Sequence, residues 1–218
     1  MKIRTKENFI DLIDNEIAWR KKELSYLKGN VKENSPHYKT HLRSAIVLLY
    51  AHWEGFVKNS CELYLNYIKT QKLNYSELTE NIIALSLKYN LKDFEQTNKM
   101  TIHCQMVDFL LNNLNRRATI PNNDIIKTGS NLNSNILKEI LTTVGLDYNA
   151  YELKNNLLDS VLLKSRNSIA HGEYLDLNEV DYNELHSEIL AIMDDIKNKL
   201  SNAIIMEEFR RKPIVNAV

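Results

Sequence analysis

Residues 35 to 70 read SPHYKTHLRSAIVLLYAHWEGFVKNSCELYLNYIKT, and their pattern decides the fold class. Ser35-Pro36 joins an N-cap residue to a proline suited to a first helical position. From there Leu42, Ile46, Leu49, Trp53, Phe56, Ser60, Leu63 and Tyr67 recur at alternating steps of four and three. That is the heptad seam of a helix packed against antiparallel neighbours. A helix of about 35 residues is roughly 50 Å long, the length of a bundle's spine or of a dimer's.

The same periodicity extends outward in both directions. Phe9, Ile13, Ile17, Leu24 and Leu27 mark a first amphipathic helix that should end near Gly29-Asn30. Leu157, Leu158, Val161, Leu162, Ser165 and Ile169 mark another, over about Tyr151 to Ala170, stopped by Gly172. Asn178 caps a closing helix, with Asp181 taking the glutamate's place in a capping box, and Leu185, Ile189, Ile192, Ile196, Leu200 and Ile204 stripe it to about Arg210. Between the second and third of these lies a less regular region at about 75–150. Short helices are expected there at Thr79 to Tyr89, Asn98 to Asn115 and Ser134 to Val144, with loops at Ala118 to Asp124 and Lys127 to Asn131. Only five Gly and three Pro among 218 residues, with scarce valine, place the chain in the all-α class. The expected organisation is one domain over 1–218, a four-helix up-and-down bundle with extra short helices inserted between its second and third core helices.

Composition narrows the function. Twenty-eight Lys and Arg balance twenty-eight Asp and Glu, so a polyanion must be held by local clusters rather than bulk charge. Arg20-Lys21-Lys22, Arg116-Arg117 and Arg210-Arg211-Lys212 are the candidates, against the plainer reading of solvated helix ends. Cys61 and Cys104 lie far apart in apolar helical patterns and read as buried free thiols of a reducing compartment. Met1 to Glu7 is charged, and the longest apolar run, Ala45 to Ala51, cannot span a bilayer. The expectation is a soluble, cytoplasmic protein. No glycine-rich phosphate loop is present. His37 and His41 are one turn apart, a zinc-compatible spacing, but no third ligand lies near, and no metal or cofactor is expected. His103 and His186 read as packing or surface residues.

The chemistry concentrates in Ser165-Arg166-Asn167-Ser168-Ile169-Ala170-His171-Gly172, which sets an arginine, an amide and a histidine at a helix end. Cleavage of RNA by internal transfer needs a base for the 2′-hydroxyl proton, an acid for the leaving 5′-oxygen and positive charge on the phosphate. Histidine titrates near neutrality and arginine braces two phosphate oxygens through its planar fork. Asn167 can fix the imidazole or contact the phosphate. One histidine cannot easily make both proton transfers, whereas a symmetric dimer brings a second His171 to the cleft. The plain alternative is that Arg166 and Asn167 cap carbonyls or pair with a carboxylate while His171 satisfies the helix dipole. Glu54, on the long helix, can hold Arg166 by an ion pair; His52 can assist and Lys58 can meet RNA.

Arg-Asn-x-x-x-His resembles the R-x(4–6)-H motif of the HEPN superfamily, with the polar residue that often follows the arginine present as Asn167. Tyr50-Ala51-His52-Trp53-Glu54-Gly55-Phe56-Val57-Lys58 resembles the second helix of the MAE-type HEPN subgroup. The helix order agrees, so the resemblance covers most of the chain. It implies a metal-independent endoribonuclease leaving 2′,3′-cyclic phosphates, with a composite site in a homodimer, acting in toxin-antitoxin or antiphage defence under a cognate antitoxin or regulatory partner. The site it implies is His171 as acid-base group, Arg166 as phosphate stabiliser and Asn167 as orienting residue; Glu54 as the arginine's partner comes from its place on the long helix, against the plain reading of a solvated carboxylate. The rival from another class is a non-catalytic helical module that holds RNA, a nucleotide or a partner protein in the same cleft.

Overall fold

The computed structural model describes residues 3–95, 98–121, 125–174 and 177–212, and for 89–95 the helical backbone alone. Helix α1 (Lys6–Asn30) starts where the Thr5 side chain accepts from the Asn8 amide, and ends at Gly29-Asn30 as the sequence predicts. Helix α2 (Tyr38–Thr70) is the spine. Its start differs from the expectation: Ser35-Pro36 forms a turn rather than a cap. The Ser35 hydroxyl accepts from the His37 amide at 3.2 Å and its carbonyl accepts from Tyr38 at 3.0 Å. Proline at the second position of a turn is as well placed as proline at a helix start, so the two readings share one sequence signal.

α3 (Glu80–Glu95), α4 (Met100–Asn112) and α5 (Ser134–Val144) follow, as the inserted short helices. α5 is capped by Asn133, which accepts from Ile136, and is closed by Gly145 at φ 77°. The chain is then helical from Asn149 to Ala170, passing through a 3-10 turn (Asn149–Lys154) and a π segment (Leu157–Leu163) into α6 (Lys164–Ala170). α7 (Glu179–Ile205) opens with the expected Asn178–Asp181 capping box, and ends one turn short of Arg210.

α1, α2 and α7 pack pairwise, and the helix ending in α6 lies in the fourth corner against α2 and α7. The seam residues meet at the centre: Phe9, Ile13, Leu49, Trp53, Phe56, Ile189, Ile196 and Leu200 are fully buried. Each such side chain contributes about 1.5–3 kcal/mol by leaving water. The inserted region shares this core through Ile126, Leu132, Leu137 and Leu141. No strand forms among the described residues. Two isolated antiparallel bridges, Asn74 to Arg117 and Leu78 to Arg210, tie the insertion to itself and to the end of the bundle.

Candidate functional site

The site is built where α6 ends beside the middle of α2. Leu158, Leu162 and Ser165 are buried and seat the helix on the core, and the Tyr151 hydroxyl, donating to Asp195 at 2.6 Å, ties it to α7. Arg166 follows Ser165 and turns toward α2. Its guanidinium lies 4.3 Å from the centre of the Tyr50 ring, with Glu54 Oε2 at 3.9 Å from Nη2. Nη1 donates to Asn167 Oδ1 at 2.7 Å and, at 3.5 Å, to Asn131 Oδ1. Nη2 donates to the Ser130 carbonyl. The Arg166 side chain is 21 % exposed and that of Glu54 is 17 % exposed. The charge is thus held by one loose carboxylate, two side-chain amides, one carbonyl and an aromatic face. None of these cancels it outright.

Tyr50 is 2 % exposed. Burial above all, and then the Glu54 carboxylate, push its phenol far above the ordinary range, so the hydroxyl stays neutral. It accepts the Leu132 amide at 2.5 Å. Asp159, two turns before Arg166, accepts from the Ser134 amide at 2.7 Å and its hydroxyl at 2.5 Å. The loop leading into α5 is therefore fastened to both α2 and the α6 helix.

His171 is the C-cap of α6, exposed, at φ −86° and ψ 2°. Beyond it Gly172 takes φ 78°. The Gly172 amide bonds the Ile169 carbonyl at 3.0 Å and the Glu173 amide bonds Ser168 at 2.8 Å, a Schellman closure that needs a left-handed residue. Arg43 of α2 completes it, donating to the Glu173 carbonyl at 2.7 Å and to Ile169 at 3.5 Å. Beside this clamp is a groove of about 420 Å³, lined by Thr40, Arg43, Ser44, Val47, Leu48 and Ile169.

Of the sequence-derived residues, Arg166, Asn167 and Glu54 come together, while His171 stands at the same helix end with no side-chain hydrogen bond or ion pair among the described residues. Asn167 spends its carbonyl on Arg166 rather than on the imidazole. Tyr50, Ser130, Asn131 and Arg43 were not singled out by sequence reasoning. Tyr50 alone had a visible signal, standing one turn before Glu54 on the face that the ion pair requires.

His52 faces the other way. It is buried beside α1, with Nε2 3.3 Å from Glu23 and Nδ1 3.5 Å from Arg20, so it takes no part in this site. Two of the three basic clusters dissolve as well. Arg20 is buried and doubly bonded to Glu16 at 2.5 and 2.9 Å, and Lys21 pairs with Asp194 at 2.5 Å. Arg210 pairs with Glu207 and Glu77, and Arg211 with Glu80. Arg116 and Arg117 stay exposed on the insertion. Cys61 is buried and its thiol is pushed up to about 12 by burial, but Cys104 is exposed, contrary to the expectation of two buried thiols. The His37 and His41 rings stand 6.0 Å apart, and Nδ1 of His41 is bonded to the Asn30 carbonyl at 2.9 Å. Among the described residues no three ligating side chains gather as a metal site, and no helix is long and apolar enough to cross a membrane.

The family model described as HEPN_MAE_28990-like HEPN matches residues 9–209. No curated protein and no solved structure shows a significant match.

Proposed function

The chain belongs to the HEPN_MAE_28990-like HEPN family, and from that premise we propose that it is a metal-independent endoribonuclease. HEPN domains generally act as ribonucleases or bind nucleotides, and the finer reading rests on one observation. Arg166 stands partly open in α6, its charge incompletely matched, five residues before an exposed His171 on a helix end clamped by Arg43. A guanidinium in that state attracts a phosphate and steadies the charge that builds on it.

In this reading Arg166 braces the scissile phosphate, Asn167 holds its guanidinium, and Glu54, at 3.9 Å, is the loose partner that the phosphate replaces. His171 carries a proton between the 2′-hydroxyl and the leaving 5′-oxygen, which gives a 2′,3′-cyclic phosphate and a free 5′-hydroxyl. Because one imidazole serves poorly for both transfers, two chains pair so that each contributes a His171 to a composite site. A nuclease of this kind fits a toxin or defence effector in the cytoplasm, restrained by an antitoxin or regulatory partner.

The test is purified wild type, Arg166→Ala and His171→Ala on mixed cellular RNA in EDTA, with end-group analysis. Cleavage by wild type alone, leaving cyclic phosphates, supports the reading. Intact RNA with all three proteins would sink it and leave a helical module that holds RNA, a nucleotide or a partner without cutting.

A further inference from the structure

We infer that the loop at 128–132 of the inserted region is a working part of the arginine site, and that Tyr50 is the positioning residue that joins the two. The inference rests on the ribonuclease reading for its consequence, but on geometry for its substance. A guanidinium has five N–H groups in a rigid fork, and only where the fork is aimed can it meet two phosphate oxygens at once. A lone arginine on a helix surface has four rotatable bonds and no fixed aim. Here its plane is set by the Tyr50 ring at 4.3 Å and its rotation by two short bonds, to Asn167 Oδ1 and the Ser130 carbonyl. The contacts with Asn131 at 3.5 Å and Glu54 at 3.9 Å are long, so they yield readily to an anion.

The loop is shaped for this task. Gly129 and Ser130 both take left-handed conformations, φ 63° and 57°, the second unusual for a side-chain-bearing residue. That pair of residues turns the Ser130 carbonyl onto Arg166 instead of into solvent. Ile126, Thr128 and Leu132 are buried on either side, and the Asp159 carboxylate fixes Ser134. The central fastening is the Tyr50 hydroxyl on the Leu132 amide. One buried phenol thus supports the arginine with its ring and the loop with its oxygen. The inserted region, 82 residues away in sequence at this contact, is bound to the site rather than merely appended to the bundle.

The two functions of Tyr50 separate by substitution. Tyr50→Phe keeps the ring and drops the oxygen; Tyr50→Leu drops both. The full chain of each is assayed for kcat and KM on RNA and for thermal unfolding, and the Arg166 Nε–H resonance is followed by NMR. Tyr50→Leu should lower kcat about ten- to a hundredfold with KM little changed, and should release Arg166 from the ring-current shift of its Nε–H signal. Tyr50→Phe should fall between it and wild type and keep that shift. Unchanged kcat in folded Tyr50→Leu, or a loss explained wholly by a smaller folded fraction, would overturn the inference, as would an Arg166 resonance identical in wild type and Tyr50→Leu. If wild type cuts no RNA while the resonance moves in Tyr50→Leu, the ribonuclease reading fails and the positioning of Arg166 stands.

Discussion

Two arginines lean on opposite sides of α2, and they differ in what is done with their charge. Arg20, from α1, stacks on Trp19 at 4.4 Å and donates to the His52 carbonyl at 3.2 Å. Arg166, from α6, stacks on Tyr50 at 4.3 Å and donates to the Ser130 carbonyl. Each has a carboxylate nearby. For Arg20 it is Glu16, bonded twice, with the arginine side chain 6 % exposed; for Arg166 it is Glu54 at 3.9 Å, with the arginine 21 % exposed. A buried, doubly bonded pair is electrically closed and serves packing. A partly open guanidinium with a distant carboxylate keeps a field for an incoming anion. The same parts, differing by less than 2 Å in one distance, leave one arginine charge closed and the other partly open.

The largest expected effect is on the open side. Arg166→Ala and His171→Ala should each lower RNA cleavage by about 10²-fold or more, with thermal midpoints near wild type, as measured by initial rates and calorimetry. Arg166→Lys should not restore the rate, because an ammonium lacks the planar fork. On the closed side, Arg20→Ala leaves Glu16 half-buried without its partner and should cost about 3 kcal/mol, roughly 6–12 °C in midpoint. Its cleavage per folded molecule should be unaltered. Gly55→Ala should echo it more weakly, since a Cβ there would stand 2.9 Å from Arg20 Nη1.

Acid sharpens the same contrast. Burial, first of all, holds both His52 and His186 below the ordinary imidazole value of 6.5. In the unfolded chain they take up protons as pH falls through about 6.5, while in the fold they stay neutral to lower pH. The unfolded state then binds more protons, so stability is full above about 6.5 and declines as pH drops toward the folded values. Urea unfolding at stepped pH should show that decline, and His186→Phe should flatten it. An unchanged slope in that variant would remove His186 from the account. The smallest effect is Gly172→Ala, which places a side chain at φ 78° and should cost about 1 kcal/mol by urea unfolding.

What the sequence made legible was local. Gly29-Asn30, Asn178 with Asp181, and Gly172 ended or began helices as read, because caps depend on residues within one turn. The stripes located the bundle core for the same reason. The Glu54–Arg166 approach was anticipated from chemistry plus helix order. The contact of Arg166 with Ser130 was not, since a backbone carbonyl carries no residue signature and the loop's path depends on packing of the whole insertion. Arg20 was misread because Arg20-Lys21-Lys22 looks solvated by composition. Its burial was signalled only by Glu16 one turn earlier and by Gly55 making room on α2. His52 fell on the wrong side of α2 for a related reason: it is two residues from Glu54, about 200° around the helix.

The most direct measurement is made on Arg20→Ala and Arg166→Ala together, with cleavage rate per folded molecule and unfolding free energy taken from the same preparations. The account predicts opposite losses: Arg166→Ala loses cleavage and keeps stability, and Arg20→Ala loses stability and keeps cleavage. Cleavage retained by Arg166→Ala, or both properties falling together in both variants, would contradict it.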